Sequence, residues 1–296
     1  LKKFNFNSIY GIDIISPQKK NKNFTFFKKD LFKKNLSLPN LKFDYIINLA
    51  GIPSPIYYKK KPLETIFLNF DLTRKLLEKS NNDKSKFIYF SSSEIYGSPD
   101  KKNIPTSEIY NGNVSTVSDR SCYDESKRAG ETITYVYKSY YNLDTKIIRP
   151  FNFFGEGMKF NDKRIIPQFF YQLVNNKNIT VFYPGKQTRT YCHIIDACIM
   201  FIKIIFNGKQ FIYNVGSTDK EISSYELAKK IKKIDKKSKS KIIINNYPKN
   251  YPKFEPQRRR PDISKYINEF KTKPKLKLDT TLSFFLKYAE KEYKKK

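Results

Sequence analysis

The sequence is poor in the residue types that bind metals or form disulfides. It has one histidine and three cysteines, and Cys122, Cys192 and Cys198 show neither Cys-x-x-Cys nor paired histidine spacing. We therefore expect ordinary reduced thiols and no metal site. No run approaches the about 18 apolar residues of a membrane-spanning helix, and no charged-then-apolar signal segment opens the chain. These absences predict a cytoplasmic, soluble protein with no membrane partner.

Acidic residues are scarce beside basic ones. The chain has 58 Lys and Arg against 28 Asp and Glu, a formal net charge of +30, and such a balance is found in nucleic-acid-binding proteins. Most of the basic residues, however, are lysines spread along the whole chain. They accompany many Asn, Ile, Phe and Tyr and no Trp, a composition that A/T-rich codons produce. The concentrated arginine run is Arg258-Arg259-Arg260. We expect no nucleic-acid partner.

The sequence also contains no Gly-x-x-Gly-x-x-Gly. In a dinucleotide-binding βαβ unit this turn holds the pyrophosphate, and an acid at the end of the second strand accepts the adenosine ribose hydroxyls. Asp13 ends a strand-like segment, 8–14, but the glycine turn belongs about 20 residues before such an acid. We therefore expect a truncated sequence lacking the first strand, the phosphate loop and most of the first helix. Alternatively, Asp13 is a turn residue of an unrelated fold.

Strand-like and helix-like patterns alternate along the chain. This alternation predicts an α/β fold, a doubly wound parallel sheet. The predicted strands are 8–14, 45–51, 86–90, 145–149, 179–182 and 209–215, with a short segment at 26–31. The predicted helices are 62–80, 123–141, 164–175, 194–206, 224–234 (capped by Ser223 or Ser224) and 283–294. The lysine-rich stretch 229–241 is interpreted as a solvated face and loop.

Two short segments carry recognisable chemistry. A strand ends at Phe90 and is followed by Ser91-Ser92-Ser93-Glu94, and the helix at 123–141 begins with Tyr123-x-x-x-Lys127. Tyr and Lys at this spacing share one helix face. There the ammonium can lower the phenol pKa from about 10 toward that of a general base. With Ser92 as a further hydroxyl, this predicts proton abstraction during the oxidation of an alcohol. The alternative is an exposed helical pair.

Several further segments in the same order strengthen this interpretation. Together they resemble the extended short-chain dehydrogenase/reductase family, and within it the nucleotide-sugar epimerases, dehydratases and UDP-glucuronate decarboxylases. The segments are Asn48-Leu49-Ala50-Gly51, Ser91 to Gly97, Ser121 to Glu131, Arg149-Pro150-Phe151-Asn152-Phe153-Phe154-Gly155, Gln187-Thr188-Arg189, Asn214-Val215-Gly216 and Arg259-Arg260-Pro261-Asp262-Ile263.

The resemblance implies NAD as cofactor and a Rossmann-like fold with a smaller α/β substrate lobe. Residues 1–152 would form the NAD-binding domain, completed by about 190–215. Residues 153–189 and 216–278 would form the lobe, and 279–296 a C-terminal helix. The implied cofactor-binding residues are Asp13, Asp30, Leu31, Leu49, Ala50, Gly51, Asn69, Ser91, Tyr123, Lys127 and Pro150. Asn69 lies where the family keeps an Asn that supports the catalytic Lys.

The implied catalytic residues are Ser92, Ser93, Glu94, Tyr123 and Lys127. Family dehydratases usually carry Asp-Glu after the triad hydroxyl, 4-epimerases lack both carboxylates, and decarboxylases resemble Thr-Ser-Glu. Ser93 cannot protonate a departing water as a carboxylic acid would, so the resemblance implies decarboxylation of UDP-glucuronate. A nucleotide-sugar 4-epimerase or 4,6-dehydratase of polysaccharide biosynthesis, and a noncatalytic nucleotide-sugar-binding or scaffold protein, remain alternatives.

The resemblance also implies the substrate contacts and the assembly. Asn152, Arg189 and Arg259 would bind the nucleotide sugar, since a planar guanidinium can bind diphosphate or carboxylate oxygens bidentately. For each arginine alone, a surface ion pair is the alternative. His193 is interpreted as structural. A homodimer would form through helices 62–80 and 123–141. Ser126 departs from the Gly that many decarboxylases carry, which leaves the substrate less defined than the family.

Overall fold

In a computed structural model, residues 7–17, 22–33, 38–235, 237–249, 251 and 255–294 are described. The chain divides into two compact units, Leu1–Phe43 and Asp44–Lys296. In the first unit, strands β1 (Ile9–Asp13) and β2 (Phe24–Lys28) pair in parallel. Gly11 leaves room for the Phe24 ring, since a Cβ there would lie 2.6 Å from it.

The second unit contains the remaining elements. Its strands are β3 (Tyr45–Asn48), β4 (Lys86–Phe90), β5 (Thr145–Pro150), β6 (Phe153–Phe154), β7 (Ile179–Phe182), β8 (Thr188–Arg189), β9 (Cys192–His193), β10 (Ile212–Val215), β11 (Ile222–Ser223), β12 (Ile242–Asn245) and β13 (Arg258–Arg259). Its helices are α1 (Pro55–Lys60), α2 (Pro62–Ile66), α3 (Leu72–Asp83), α4 (Ser121–Tyr140), α5 (Ile165–Val174), α6 (Ile194–Asn207), α7 (Ser224–Ile234), α8 (Ser264–Phe270) and α9 (Leu278–Glu292).

The central sheet of this unit has the strand order β10-β5-β4-β3, all parallel. Its strands are rich in β-branched and aromatic residues because both faces are covered. Alternate residues of β4 face opposite sides. Phe87 and Tyr89 belong to a core cluster with Leu77 of α3, whereas Ile88 belongs to a cluster with Met200 of α6. Helices therefore cover both faces, which confirms the doubly wound α/β fold.

A second core lies in the part of the chain after β5. Helices α5, α7 and α9 pack there with β7 and β12, which pair in parallel. The short strand β8 lies between β11 and β13. Ser223 begins α7 with a capping box, in which its side chain accepts from Glu226 N–H and Glu226 bonds back to Ser223. This pairing satisfies amides that the first helical turn leaves free. The assignment of this region as a substrate lobe stays a prediction.

Several boundaries differ from the predicted ones. The helix predicted at 62–80 consists of α2, a π-helical turn (Phe67–Asp71) and α3, and α1 precedes it unpredicted. Strand β5 continues through Pro150 instead of ending before it. The amides of Ile147 in β5 and of Phe151 just after it bond to the carbonyls of Phe211 and Val215. The missing amide of Pro150 therefore falls on the other side, toward β4, which ends at Phe90.

The other predicted strands and helices overlap elements of the structure, with α9 beginning earlier, at Leu278, whereas α8, β12 and the two-residue strands were not predicted. Within the part of the chain that the structure describes, every helix is too short or too polar to cross a bilayer.

Candidate active site

The end of β4 and the start of α4 bring the predicted catalytic residues together. Ser92 caps the 3₁₀ turn Ser93–Tyr96 that follows β4, and its side chain accepts a hydrogen bond from the backbone N–H of Glu94 (3.2 Å). Tyr123 lies in the first turn of α4 and is buried. One turn later, Lys127 donates from Nζ to the carbonyl of Phe90 (2.8 Å). Its Nζ lies 5.9 Å from the centre of the Tyr123 ring.

The phenol of Tyr123 is less acidic than the sequence predicted. Burial raises its pKa, and a hydrogen bond with the Ser92 side chain lowers it only in part. Lys127 does not offset this, because burial lowers the pKa of its own ammonium to about 7. Its Nζ also bonds to a carbonyl instead of the phenolic oxygen. The predicted lowering of the Tyr123 pKa by Lys127 is therefore wrong for this structure.

Unpaired polar atoms mark the space beside Lys127, and Gly51 lies close to it. The Oδ1 of Asn69 and the Oγ of Ser91 are buried without a hydrogen-bond partner among the described residues. A Cβ on Gly51 would lie 3.4 Å from Asn69 Oδ1 and 3.6 Å from Lys127 Nζ. Buried polar atoms without a hydrogen-bond partner require one from a ligand or water. The ribose hydroxyls and the carboxamide of a nicotinamide nucleotide supply donors and acceptors of this kind. The residues here fit NAD.

Asn69 contacts the helix that carries Lys127 and the aromatic ring beside its ammonium. Its Nδ2 donates to Ser126 Oγ (2.9 Å), and its carbonyl accepts from the Tyr89 hydroxyl (3.2 Å). The ammonium of Lys127 lies 5.1 Å from the centre of the same Tyr89 ring. Asn69 thus acts on Lys127 through neighbours. The π-helical turn that carries Asn69 is a local irregularity of the kind often found at functional sites.

For the other predicted cofactor residues, the structure gives only contacts within their own segments and their exposure. In the first unit, the carboxylates of Asp13 and Asp30 accept from the backbone N–H of Ile15 (2.8 Å) and Phe32 (3.0 Å). Leu31 is half-buried. In the second unit, Leu49 is 68% exposed, Ala50 N–H donates to Asn48 Oδ1 (3.1 Å), and Pro150 ends β5.

Glu94 lies between two arginines. Its carboxylate pairs with Arg259 and with Arg120, and Arg259 Nη2 lies 2.9 Å from Glu94 Oε2. Burial alone would raise the pKa of Glu94, but the two guanidinium charges outweigh it and lower the pKa to about 2. Glu94 is therefore ionised at neutral pH, and it cannot donate a proton there.

Arg120 contacts three carboxylates, one from each of its nitrogen positions. Its Nη2 pairs with Glu94, its Nη1 lies 3.0 Å from Glu255 Oε2, and its Nε lies 3.4 Å from Asp124 Oδ2. Burial, aided by the charge of Glu94, raises the pKa of Asp124 to about 7 against the effect of Arg120. Asp124 Oδ1 is buried and has no partner among the described residues. Arg120, Asp124 and Glu255 were not among the predicted site residues: Arg120 and Asp124 are four residues apart, but no local spacing links either of them to Glu255.

The three predicted substrate residues differ in how fully their side chains are hydrogen-bonded within the protein. Arg189 pairs with Glu255 (3.1 Å) and donates to the carbonyls of Thr188, Pro256 and Gln257. Arg259 Nε and Asn152 Nδ2 are buried without a partner among the described residues, and Asn152 adopts a φ of 30°.

His193 has the geometry of a structural residue. It is buried, its Nδ1 accepts from Ile195 N–H (3.4 Å) at the start of α6, and burial lowers its pKa. This contact caps the helix and supports the structural interpretation of His193.

Comparison with known proteins connects this geometry to a family. The sequence profile of the NAD dependent epimerase/dehydratase family matches residues 9–216. The chain is 33% identical over 238 residues to UDP-glucuronic acid decarboxylase 6 of Arabidopsis thaliana, across 80% of this chain and 67% of that protein. It is 30% identical over 252 residues to UDP-glucuronic acid decarboxylase 1 of Danio rerio, across 85% and 58%.

Solved structures agree with this match. UDP-glucuronic acid 4-epimerase from Bacillus cereus, in complex with UDP-glucuronic acid and NAD, superposes with a TM-score of 0.81 at 25% identity, over 96% of this chain and 91% of that chain. UDP-glucose 4-epimerase from Thermotoga maritima gives a TM-score of 0.83 at 19% identity, over 96% and 91%, which shows the shared fold. The chain is therefore an enzyme with NAD as cofactor, and it belongs to the NAD dependent epimerase/dehydratase family.

Proposed function

We propose that the protein decarboxylates a nucleotide sugar, UDP-glucuronate, giving UDP-xylose or its 4-keto precursor. The observation that carries the proposal is the Ser92-Ser93-Glu94 turn, in which Glu94 is held ionised by Arg120 and Arg259. A dehydratase needs an acid that protonates the departing hydroxyl, and neither Ser93 nor an ionised Glu94 is one. The decarboxylases with which the chain shares 33% identity support the same reaction.

The residues around Gly51 would hold the cofactor. Asn69, Ser91, Tyr123 and Lys127 offer the polar atoms there. When bound, NAD supplies a reversible oxidation of the sugar at C4. A ketone at C4 is β to the C5 carboxylate, so the C–C bonding pair can pass into an enolate as CO₂ leaves, and a proton then returns to C5.

Tyr123 is the group that takes the proton of the 4-hydroxyl. The hydrogen bond with Ser92 favours its phenolate. Lys127, whose pKa is about 7, can bind a proton near neutral pH, and its charge would then lie 5.9 Å from the Tyr123 ring. Phenolate formation and protonation of Lys127 are therefore coupled.

Arg259, Asn152 and Arg189 are the proposed substrate contacts. Arg259 retains a buried, unpaired Nε, and Asn152 a buried, unpaired Nδ2, among the described residues. Each can donate to a phosphate, hydroxyl or carboxylate oxygen of the substrate. Glu94 fixes the orientation of Arg259 and accepts hydrogen bonds without donating a proton.

A 4-epimerase is the second candidate, because the solved UDP-glucuronic acid 4-epimerase shares 25% identity with the chain. The test incubates the full chain with UDP-glucuronate and NAD⁺ and measures CO₂ and the sugar products. We expect CO₂ with UDP-xylose or its 4-keto precursor. A 4-epimer without CO₂ would assign the enzyme to the epimerases, and a 4-keto-6-deoxy product to the dehydratases. Binding without any product would indicate a noncatalytic protein.

We further propose a homodimer formed by the outer faces of α2 and α4. Leu63 of α2 and Tyr135 of α4 are 74% and 54% exposed. A contiguous apolar patch formed by these two helices would mark an interface, and twofold dimers are the commonest assembly.

A further inference from the structure

We infer that Arg120 and Arg189 form an anion-binding site for which Glu255 competes with an anionic group of the substrate. The inference rests on the proposed function and deepens it. In this site Arg120 contacts the substrate directly, and the Glu255 carboxylate competes with the substrate for the two arginines. The ligand class is a pair of anionic oxygens, supplied either by the nucleotide diphosphate or by the sugar carboxylate.

Glu255 bridges the two arginines with one oxygen each. Its Oε1 lies 3.1 Å from Arg189 Nη2, and its Oε2 lies 3.0 Å from Arg120 Nη1. The arginine side chains are only 10% and 6% exposed, whereas the carboxylate side chain is 22% exposed. A phosphate or carboxylate group makes the same bridge between two guanidinium groups. The buried arginines are thus a built site, in which Glu255 is more exposed than the two guanidinium groups that it bridges.

The other acceptors on these arginines are poorly suited to exchange. Arg189 also donates to backbone carbonyls of its own strand and of the segment leading into β13. Arg120 also contacts Glu94, at the end of β4, and Asp124, in α4. Asp124 is buried within α4, and Glu94, whose side chain is 23% exposed, belongs to the 3₁₀ turn that follows β4, whereas Glu255 lies in neither a helix nor a strand. Glu255 is the partner that a ligand can replace without disturbing them.

The charges of the cluster favour such a replacement. Arg120, Arg189 and Arg259 face Glu94, Asp124 and Glu255, so the cluster is neutral when all six groups are charged. Moving Glu255 away leaves one uncompensated buried positive charge, which is costly. An anionic ligand removes that cost. Burial raises the pKa of Asp124 to about 7. Its protonation removes a further negative charge from the cluster and so favours binding of an anion.

The position of the site ties it to the reaction. Arg120 immediately precedes α4, which carries Tyr123, and it holds Glu94 beside the end of β4. An anion bound by Arg120 therefore lies next to the residues proposed to act on the sugar. Arg189, in β8, lies beside Arg259 in β13.

The test compares Glu255→Gln with the wild-type protein by calorimetric titration with UDP and with UDP-glucuronate. Removing the competing charge should tighten binding by about tenfold, as expected for one close charge pair. A gain for both ligands assigns the site to the diphosphate, and a gain for UDP-glucuronate alone assigns it to the sugar carboxylate. Glu221→Gln is the matched control, since Glu221 pairs with the neighbouring Arg258, and it should leave both affinities unchanged.

Unchanged or weaker binding of both ligands by a folded Glu255→Gln protein would overturn the inference, because a structural contact gives a loss. Should this variant fail to fold, Arg120→Gln is titrated with the same ligands and must weaken the binding of at least one. Unchanged binding by a folded Arg120→Gln protein would also overturn the inference. These are binding measurements, so a wild-type protein that binds UDP-glucuronate without releasing CO₂ would contradict the proposed function alone.

Discussion

The ring of Tyr58 lies stacked on the ring of Tyr123, with their centres 5.2 Å apart and their planes at 15°. Tyr58 belongs to α1, is buried, and has a hydroxyl without a hydrogen-bond partner among the described residues. The stack restricts the orientation of the Tyr123 ring. Helix α1 therefore positions the proposed proton acceptor without contributing a reactive group.

Two replacements of Tyr58 should separate the effect of its stacked ring from the effect of its hydroxyl. Tyr58→Phe keeps the stacked ring and removes an unsatisfied hydroxyl, so we expect near-normal turnover and equal or higher thermal stability. Tyr58→Leu removes the ring contact, worth about 0.5–1.5 kcal/mol, and should lower kcat by up to about tenfold with little change in KM. Steady-state kinetics of both variants check this. Equal kcat in the two variants would exclude a positioning role.

Tyr123→Phe should remove nearly all turnover and preserve the fold. General-base catalysis contributes about 10²–10⁴-fold, and Phe retains the stack with Tyr58. We expect kcat to decrease by a factor within that range, with an unchanged melting temperature and retained UDP-glucuronate binding. Tyr140→Phe, at the exposed C-terminal end of the same helix, is the control and should act like wild type. A near-normal rate for Tyr123→Phe would contradict the mechanism.

Local pattern predicted the elements that carry the proposed chemistry. The end of β4 and the spacing of Tyr123 and Lys127 on α4 follow from periodicity within single segments, and the structure brings them together. The protonation states did not follow from spacing. The predicted effect of Lys127 on Tyr123 failed because burial acts on both groups, and burial depends on packing from the whole domain.

The cluster of Arg120, Arg189 and Glu255 could not be predicted from the sequence, because it also depends on packing between distant segments. Arg120 and Glu255 are far apart in the chain, and no shared periodicity relates them. Each alone resembles an ordinary surface charge in a chain with 58 basic residues. Only the pairing of β8 with β13, and the approach of α4 to the end of β4, bring these groups together. Long-range contacts of this kind leave no local signal.

Asp124 should make the protein less stable as the pH rises from about 4 to about 7. Its pKa is raised from 3.8 to about 7, first by burial and then by Glu94. Between these values the folded state binds more protons than the unfolded state, so the free energy of unfolding falls as the pH increases. Asp124→Asn should reduce that fall. Urea unfolding at pH 5 and pH 8 measures the difference.

The comparison of Asp124→Asn with wild type cancels contributions from other titrating groups. Asp279→Asn serves as its control, because Asp279 is exposed and pairs with Lys230. That variant should keep the wild-type difference between the two pH values. An identical difference in Asp124→Asn would show that Asp124 is ionised throughout the range.

Glu94→Gln should destabilise the protein and alter Asp124. The change leaves Arg120 and Arg259 facing one carboxylate fewer, and an unbalanced buried charge costs about 3–5 kcal/mol; the partial exposure of Glu94 places the expected loss in the free energy of unfolding at the lower end. Repulsion from Glu94 also raises the Asp124 pKa, so this variant should weaken the pH dependence of stability. Glu78→Gln, in an exposed pair with Arg74, should do neither. Unchanged stability would contradict the pairing.

The proposed homodimer should appear most clearly at moderate salt. The net charge of +30 opposes association at low ionic strength, and added salt screens that repulsion. Light scattering should therefore give about twice the single-chain mass of 35.1 kDa at micromolar concentration. Leu63→Lys places a charge in the proposed interface and should restore the monomer mass, whereas Ile109→Lys, at another highly exposed position, should not. A wild-type mass near 35.1 kDa across micromolar concentrations would exclude the dimer.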